Sequence, residues 1–375
     1  MNDDTDDDTI RIGIVGLGGI ARHHADHLKA LTNDDDIAAD LVGGMDIVGD
    51  ARDAFEADYG VPTYEDAADL YETADAVIVT TPNRFHEEYV TSALEAGLDV
   101  LVEKPLAHTV ESAERVAAAA RDADGFCMVG FHHRFAPTVE VLKEQQARGR
   151  FGDVYHVEAN YIRRRGVPGR GSWFTDSSVA GGGSLIDIGA HAIDLAMHML
   201  DYPEVVEVTG ETRSIFGGRD DYTYLHMWGK DSDGDFDVDD SAQAFVRFED
   251  GQTLALETAW ASNRPPTQTY VLQGTEAGAT VDREAETLTV HEAQDVGGPH
   301  FSDSEITTRE EPAHRKEQRA FIEAVARGEP PERNTVEQAL TVQRIMGAIY
   351  ESAERGEAVS LRDDRDQEPA LTPSD

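Results

Sequence analysis

The sequence predicts a two-domain protein: an N-terminal α/β domain with a doubly wound parallel sheet, and a C-terminal α+β domain with a mostly antiparallel sheet. The chain has 375 residues, which is too long for one ordinary hydrophobic core. In the first half, apolar strand-like runs alternate with helical runs, as in parallel sheets covered on both faces. In the second half, strand-like runs follow one another and partly alternate polar with apolar residues, which is typical of antiparallel sheets.

The first half is predicted to contain five strands and four helices. Pro82 ends the third strand because proline has no N–H donor, and Gly97 closes the third helix because glycine readily adopts the left-handed conformation. Cys127 is the single cysteine, so no internal disulfide can form, and its apolar neighbours predict core packing. The strands are expected at Ile10–Gly16, Leu41–Asp46, Ala76–Thr81, Val100–Glu103 and Phe126–Phe131, and the helices at Ile20–Leu31, Ala51–Tyr59, His86–Ala96 and Val110–Asp122.

The second half is predicted to contain six strands and four helices. The segment Glu249–Gln252 lies between two strand-like runs and has the composition of a hairpin turn. The strands are expected at Val154–Ala159, Val205–Glu211, Ser241–Phe248, Thr253–Ala259, Thr269–Gln273 and Thr287–Val290, and the helices at Pro137–Arg148, Leu185–Leu200, Arg315–Arg327 and Val336–Arg355. The predicted division is an acidic disordered tail at 1–8, the parallel-sheet domain at 9–131, a second domain at 132–361 and an acidic disordered tail at 362–375.

The charge of the chain restricts its partners. The net charge is −42, with 27 arginines against 5 lysines. Scattered acidity with few lysines is typical of proteins from salt-loving organisms, where concentrated salt screens self-repulsion; an ordinary acidic protein is the alternative. Nucleic acid and anionic membranes carry the same sign and are poor partners. The absence of an apolar run of about 18 residues argues against a membrane span, and the acidic N-terminus, unlike a secretory signal, predicts a cytoplasmic location.

A glycine-rich turn follows the first strand and opens the first helix. Gly16, Gly18 and Ala21 form a G-x-G-x-x-A pattern, which permits a tight turn and close approach of the backbone to a pyrophosphate, with Gly19 and Ile20 at the helix N-terminus. The turn predicts a dinucleotide site of the Rossmann type; an incidental glycine-rich turn is the alternative.

Cofactor preference is expected to depend on the end of the second strand. Asp46 lies there, where a carboxylate accepts hydrogen bonds from ribose hydroxyls and repels a 2′-phosphate. Arg52 is close in sequence, and arginine can accommodate that phosphate. The sequence therefore favours NAD, with NADP as the alternative.

Two segments far apart in sequence carry candidate catalytic groups. Lys104 follows a strand at the carboxyl end of the predicted parallel sheet, where a hydride-transfer enzyme would place a proton donor. Asp187 and His191 are four residues apart in a predicted helix and would share one face. A carboxylate that holds one imidazole nitrogen orients the ring and raises its basicity, which gives a general base; a helix-start Asp and a packed His are the alternative.

Together these motifs resemble the Gfo/Idh/MocA oxidoreductases, a group that includes glucose–fructose oxidoreductase and inositol 2-dehydrogenase. The resemblance extends from about Ile10 to Leu361 and rests on the glycine turn, Glu103-Lys104-Pro105, Asn83-Arg84-Phe85-His86 and the Asp187/His191 pair. It implies a Rossmann domain, then a domain with a large, open, predominantly antiparallel sheet often used for oligomer contacts. It also implies an active site between the domains, and hydride transfer between a nicotinamide cofactor and a hydroxyl or carbonyl of a sugar, cyclitol or related polyol.

The resemblance also implies roles for single residues. Lys104 would bind and polarise the substrate hydroxyl, and His191 would exchange its proton with Asp187 as the orienting partner. The nicotinamide side would be lined by Thr81, Pro82 and Asn83, with Glu103, Lys104 and His86 nearby, His86 in a structural role. An NAD-dependent glycosidase of the same family and a non-enzymatic cofactor-binding regulator are the alternative functions; the three catalytic groups argue against the regulator.

Two further segments are candidates for substrate contact. The basic, aromatic loop from Tyr161 to Phe174 includes Arg163 and Trp173, which suit a polyhydroxylated or acidic ligand; a subunit or cofactor contact is the alternative. Arg134 is a second candidate, in a segment that carries His132 where the resembled family more often has asparagine. No metal site is predicted, since 231–240 lacks the bidentate Glu and the glycine position of a calcium loop.

Overall fold

The computed structural model describes residues 9–32, 37–225 and 231–362. The predicted tail at 1–8 and all but the first residue of the predicted tail at 362–375 lie outside the described residues. None of the helices in the described ranges is long and apolar enough to cross a membrane. The predicted fold class is confirmed: a six-stranded parallel sheet is followed by a nine-stranded, mostly antiparallel sheet.

The first sheet has the strand order β3-β2-β1-β4-β5-β6, with every neighbouring pair parallel. The order reverses direction between β1 and β4, and in such sheets ligands bind outside the carboxyl ends of the strands at that point. The edge strand β3 and the helix α3 after it were not predicted, because both are very short. The strands are β1 Ile10–Val15, β2 Ala39–Met45, β3 Thr63–Tyr64, β4 Ala76–Val79, β5 Asp99–Glu103 and β6 Cys127–Gly130.

Helices cover both faces of this sheet. Cys127 is buried among apolar side chains, as predicted. The sequence-distant helix α9 returns to this sheet, where Phe321 and Ile322 pack with Ile12 and Ile14 of β1. The helices of this region are α1 Gly19–Thr32, α2 Gly49–Tyr59, α3 Ala67–Tyr71, α4 His86–Glu95, α5 Val110–Asp122 and α9 Ala313–Arg327.

The second sheet has the order β14-β13-β12-β11-β7-β10-β9-β8-β15, and only the central pair β7/β10 is parallel. Strands β12, β14 and β15 were not predicted. On the last two, few side chains are buried, so the sequence shows little alternation. The strands are β7 Val154–Ile162, β8 Val205–Arg213, β9 Ser241–Phe248, β10 Thr253–Ala259, β11 Thr267–Gly274, β12 Gly278–Asp282, β13 Thr287–Gln294, β14 His300–Ile306 and β15 Val359–Ser360.

One face of the second sheet packs against helices, and these helices join the two domains. Helix α10 contacts β8 and α8 of the second domain and α5 and β6 of the first. The opposite face carries exposed side chains that include Tyr155 and Phe245. The helices of this region are α6 Pro137–Ala147, α7 Ser177–Ala180, α8 Ala190–Met199 and α10 Val336–Arg355. The carboxyl ends of the parallel strands therefore face the start of α8 across a cleft.

Candidate active site

A cavity of about 820 Å³ lies at the carboxyl ends of β1, β2 and β4. This size lies within the range of small-molecule and cofactor sites, which is about 300–1,000 Å³. The glycine turn, the N-terminus of α1 and the end of β4 form its walls. The predicted cofactor residues that line it are Gly16, Gly18, Gly19, Ile20, Asp46, Thr81 and Pro82.

The glycine turn has the geometry that a dinucleotide requires. Gly16 has φ +88°, and a Cβ there would lie 2.9 Å from the backbone nitrogen of Thr81, so only glycine fits. A Cβ at Gly18 or Gly19 would have no atom within 4 Å, so the backbone faces open space at the start of α1. The hydroxyl of Thr81 is buried and has no partner among the described residues. The site therefore fits a pyrophosphate-linked cofactor at a helix N-terminus.

Asp46 lines the cavity at the end of β2. One of its oxygens accepts a hydrogen bond from the backbone nitrogen of Leu17 at 2.8 Å, and the other accepts one from Val48 at 2.8 Å. Arg52 donates to the backbone carbonyl of Asp46 at 2.6 Å and lies 3.4 Å from Glu65. The guanidinium is therefore held by protein acceptors, while the carboxylate is fixed on the wall of the cavity.

Two residues predicted in the cofactor site hold the loops around it. The ring nitrogens of His86 lie 2.9 Å from the carbonyl oxygens of Pro105 and Thr81, so neither is free for a cofactor. Glu103 accepts from His24 at 2.8 Å and from the backbone nitrogen of Lys104 at 3.2 Å. Both residues also line the neighbouring cavity that contains Lys104, so their place in the cofactor site stays a prediction, and the structural role predicted for His86 agrees with its contacts.

Glu103 and His24 form a buried hydrogen-bonded pair that lowers the pKa of the Glu103 carboxyl group. Burial by itself raises the pKa of Glu103, but the hydrogen bond and charge of His24 outweigh burial and lower the pKa to about 2. Glu103 is consequently ionised at neutral pH. Its carboxylate fixes the end of β5 immediately before Lys104.

A second cavity of about 280 Å³ adjoins the first and lies between the two domains. It receives side chains from the end of β5, from the start of α8 and from the aromatic loop, which are far apart in sequence. Asn83 also faces it and donates to the carbonyl of Ala180 at 2.8 Å, which links the two domains. The predicted site residues on its walls are Ile20, Thr81, Asn83, His86, Glu103, Lys104, Tyr161, Arg163, Trp173, Asp187 and His191.

Lys104 is held in this cavity by Asp187. Its Nζ donates to a carboxylate oxygen and to the backbone carbonyl of Asp187, both at 2.9 Å. The other carboxylate oxygen accepts from the indole N–H of Trp260 at 2.9 Å, and Arg163 lies 3.9 Å away. Burial raises the pKa of Asp187, but Lys104 and Arg163 outweigh it and hold the pKa below its ordinary value. An ammonium has three N–H donors, so one donor of Lys104 is left for a ligand.

The structure corrects the expected Asp187–His191 hydrogen bond. Residues Leu185–Gly189 form a π-helical turn immediately before α8, a local departure from α-helical hydrogen bonding. The carboxylate of Asp187 is turned to Lys104 and Trp260, and Nδ1 of His191 has no partner among the described residues. Burial, together with the neighbouring cations, holds the pKa of His191 well below its ordinary value, so the ring is neutral.

The aromatic loop closes the cavity from the second domain. Trp173 and Phe174 stack with ring centroids 3.8 Å apart and line both cavities. Arg163 donates to the hydroxyl of Tyr161 at 3.3 Å, and both residues line the second cavity. The loop thus lies between the dinucleotide cavity and the Lys104 cavity, where one ligand can contact both.

The prediction that Arg134 contacts substrate is wrong. Its side chain has no exposed surface and donates to Asp194 at 2.9 Å and to Gln338 at 2.6 Å. The hydroxyl of Tyr202 is a further partner. The basic segment in the sequence marks a buried ion pair behind the cavity.

Sequence reasoning missed Trp260, His133 and His314. Trp260 directly follows a predicted strand, and its indole is completely buried, but nothing in a single tryptophan indicates a carboxylate partner. His314 lines the second cavity, although it lies on α9 about 120 residues from His191 in sequence. The ring centroid of His133 lies 4.3 Å from that of His191. The two adjacent histidines at 132 and 133, directly after a predicted strand, were a signal from which a place at the site could have been predicted.

Comparison with known proteins identifies the two domains. Residues 10–131 match the oxidoreductase family with an NAD-binding Rossmann fold, and residues 139–280 match the GFO/IDH/MocA C-terminal domain. The chain is 33% identical to D-glucoside 3-dehydrogenase of Escherichia coli (strain K12) over 94% of its own length and 97% of that protein. The chain belongs to the Gfo/Idh/MocA oxidoreductase family.

Two other Gfo/Idh/MocA-like proteins show how widely the similarity extends. D-xylose 1-dehydrogenase (NADP(+)) 2 of Haloferax volcanii is 31% identical over 83% of this chain and 89% of that protein. Levoglucosan dehydrogenase in complex with NADH superposes with a TM-score of 0.83 over 94% of this chain and 99% of that chain, at 23% identity, which shows the shared fold. The prediction of a nicotinamide-dependent oxidoreductase of this family is confirmed.

Proposed function

We propose that this enzyme oxidises a secondary hydroxyl of a sugar, glycoside or polyol with NAD, through Lys104, Asp187 and His191. The observation that carries the proposal is the Lys104–Asp187 pair, which lies in a buried cavity continuous with the dinucleotide cavity. The dehydrogenases among its relatives act on such hydroxyls by name, at C3 of a glucoside and at C1 of xylose. Because those positions differ, the substrate is argued from the site itself.

The protein groups can bind a hydroxyl and remove its proton. When bound, the nicotinamide cofactor accepts the hydride. The remaining N–H of Lys104 donates to the hydroxyl oxygen and stabilises negative charge that develops there. Neutral His191, which lines the same cavity, takes the proton. Asp187 orients Lys104 and carries the opposite charge, so the cation is held in one place before substrate arrives.

The aromatic loop favours a polyhydroxylated ring as the substrate. Trp173 and Phe174 offer a flat apolar face, and Tyr161, Arg163 and Asn83 offer polar groups around the same 280 Å³ cavity. Pyranose rings present apolar faces and polar rims, so they suit this combination. A glycosidase acting through transient oxidation remains the second candidate, since its first step would use the same groups.

NAD is the preferred cofactor in this proposal. The fixed carboxylate of Asp46 on the cavity wall would accept from ribose hydroxyls and repel a 2′-phosphate, and Arg52 is already held by Glu65 and a carbonyl. We expect kcat/KM to be higher with NAD than with NADP. Asp46→Ala should narrow that ratio by roughly ten-fold, the size of one lost hydrogen bond to a charged group; an unchanged ratio would contradict the assignment.

A substrate panel tests the proposal directly. Glucosides, hexoses, pentoses and inositols are incubated with NAD in molar KCl, and NADH is followed by absorbance. We expect stoichiometric NADH and a keto product from at least one of them. Lys104→Met should lower turnover by about 10²–10⁴-fold while NADH binding persists, and Lys29→Met, which removes an exposed surface lysine, serves as the matched control.

Two outcomes would redirect the assignment. Aglycone release without net NADH would favour the glycosidase. Normal turnover of Lys104→Met would overturn the catalytic role of this lysine.

We also infer the setting in which the enzyme works. The net charge of −42 and the 27 arginines against 5 lysines support a salt-rich cytoplasm, and the open sheet face with Tyr155 and Phe245 supports a homodimer or homotetramer. Light scattering between 0.1 and 3 M KCl tests both inferences. Over this range the Debye length falls from about 10 Å to below about 3 Å, so the repulsion between surface charges changes from partly to almost fully screened. We expect a folded oligomer at high salt and loss of compactness at low salt; a salt-independent monomer would contradict them.

A further inference from the structure

Three histidines converge at the rear of the second cavity. His132 and His133 follow β6 directly, and His191 lies in the first turn of α8. One ring nitrogen from each residue lies within 4.8 Å of the others. The centroids of His133 and His191 are 4.3 Å apart, and those of His132 and His191 are 4.9 Å apart.

These rings lack the hydrogen-bond partners that buried imidazoles normally have. Nδ1 of all three is buried and has no partner among the described residues. His133 and His191 are only 6% and 7% exposed. An unsatisfied buried polar group costs about 1–3 kcal/mol, and three such groups at one point are uncommon in a native protein. The arrangement therefore points to a ligand that accepts several nitrogen lone pairs at once.

Three cationic side chains act on the three rings, namely Lys104, Arg163 and Arg283. The nearby charge of Lys104 is offset by Asp187 at 2.9 Å. Arg163 lies 3.9 Å from the same carboxylate. Arg283 is the third cation, and these charges lower the affinity for a metal ion without removing the nitrogen donors.

The geometry requires only small ring movements. His133 and His191 are stacked at an interplanar angle of 23°, and His132 is at 74° to His191. The Cβ–Cγ torsion of histidine has a broad energy well, so each ring can turn its lone pair toward a common point. No carboxylate belongs to the group, which disfavours the hard cations Mg²⁺ and Ca²⁺ because these prefer oxygen ligands.

We propose that His132, His133 and His191 form a binding site for a divalent transition-metal cation of the zinc class. Imidazole nitrogen suits Zn²⁺, Co²⁺ and Ni²⁺. Three histidines with a fourth position left for water or a ligand are a set that proteins use for zinc sites with an open position. His132 and His191 line the cavity that contains Lys104, so a ligand of the cation could approach from there.

One consequence rests on the proposed function. If His191 is the base, a bound cation occupies the imidazole that would accept the substrate proton, so zinc inhibits the dehydrogenase reversibly. Metal binding itself is measured without substrate or cofactor. A failure of the metal site and a failure of the proposed function are therefore distinguishable.

The test uses the full-length protein and Co²⁺ as the probe. Co²⁺ is titrated into metal-stripped protein in molar KCl with excess Mg²⁺, which occupies the many carboxylates. We expect one equivalent of Co²⁺ to produce the visible absorption bands of four-coordinate cobalt with nitrogen ligands, and one equivalent of Zn²⁺ to displace it. Equilibrium dialysis with metal analysis gives the stoichiometry.

Substitutions locate the site. His133→Asn and His191→Asn should each weaken Co²⁺ binding by at least about ten-fold. Each removes one of three ligands, and loss even of a group that only orients a ligand costs about 10–100-fold. His27→Asn and His300→Gln remove histidines outside the group and should leave binding unchanged. NADH binding and thermal unfolding confirm that each variant is folded.

The proposal is overturned by either of two results. One is Co²⁺ binding that is absent, or that excess Mg²⁺ abolishes, in the wild-type protein; this result needs no variant. The other is wild-type affinity in folded His133→Asn and His191→Asn, which would assign the cation to another set of ligands.

Discussion

Two buried ion pairs join segments that directly follow strands of the first sheet to the segment around α8, and they differ in their exposure. Lys104 follows β5 and pairs with Asp187, whereas Arg134 follows β6 and pairs with Asp194. In the first pair the side chains are 17% and 11% exposed, and in the second both are fully buried. The first pair thus borders a cavity, while the second is sealed.

The difference shows how the same charge chemistry can serve ligand binding or stability. Arg134 uses its guanidinium on Asp194, Gln338 and Tyr202, a bidentate geometry that arginine favours. Lys104 makes two contacts with Asp187 and keeps one donor. A pair with a spare donor at a cavity can act on a ligand, whereas a saturated pair can only hold the fold.

The largest effect is expected from Asp187→Asn. The change keeps the size of the side chain and removes the charge that holds Lys104, so kcat should fall by about 10²–10⁴-fold. Thermal unfolding should shift little, because the cavity lets water reach the lysine. Steady-state kinetics and calorimetry on the same sample measure both effects. A destabilised protein with normal kcat would contradict the prediction, because it would mean that the Lys104–Asp187 pair serves stability and not catalysis.

Asp194→Asn is the matched variant for the sealed pair. It leaves the Arg134 charge buried without a counter-charge, which typically costs about 3–5 kcal/mol. The free energy of unfolding, from denaturant titration in molar KCl, should fall by that amount. The folded fraction should retain its kcat, since no atom of this pair reaches the cavity; a loss of kcat in stable protein would contradict the distinction.

Acid should destabilise the sealed region through His198. Burial, with the charges of Arg134, Lys143 and Arg333, lowers the pKa of His198 to about 2. The unfolded chain binds this proton at its ordinary pKa of about 6.5 and the folded chain does not, so stability falls as pH drops below about 6.5 and continues to fall toward the folded pKa. One such group contributes a slope of about 1.4 kcal/mol per pH unit.

Denaturant titrations at pH 7, 6 and 5, at fixed salt, measure this slope. His198→Gln should flatten it by about one proton relative to wild type. His300→Gln, at an exposed position, should leave it unchanged. An equal slope in all three proteins would show that other groups control acid unfolding.

A smaller effect is expected at Trp260, which positions Asp187. Trp260→Phe keeps the buried ring but removes the N–H that donates to the carboxylate at 2.9 Å. A hydrogen bond to a charged group contributes about 1.5–3 kcal/mol, so kcat should fall roughly ten-fold or somewhat more.

The pH profile separates positioning by Trp260 from simple packing. The indole N–H helps to lower the pKa of Asp187, so its loss should move the acid limb of kcat/KM to higher pH. A drop in stability with an unchanged pH profile would mean that Trp260 only packs.

Much of the first domain was predictable because its signals are local. The G-x-G-x-x-A turn requires glycine at position 16, because a Cβ at that position would lie only 2.9 Å from the backbone nitrogen of Thr81. The position of Lys104 at the end of β5 also follows from strand order. Short or exposed elements such as β3 and β14 escaped prediction, because they bury few side chains and leave little pattern.

For the second cavity, the sequence predicted which reactive residues line it but not which of them are hydrogen-bonded to each other. Lys104, Asp187 and His191 do line one cavity, yet the expected Asp–His pair is replaced by an Asp–Lys pair. Lys104 and Trp260 hold the two carboxylate oxygens of Asp187, and helical spacing in the sequence does not reveal these tertiary contacts. Arg134 was predicted to contact substrate, but its side chain is fully buried and paired with Asp194.

The sequence by itself determined the two-domain class, the dinucleotide turn, the acidic surface and the approximate set of reactive side chains. These depend on local spacing and composition, which a single chain displays directly. Only the tertiary structure decided which acid holds Lys104, that Trp260 shares that acid, and that His132, His133 and His191 converge. Those contacts join residues from 58 to 83 positions apart, or the neighbours His132 and His133. The surrounding core sets the orientation of their side chains.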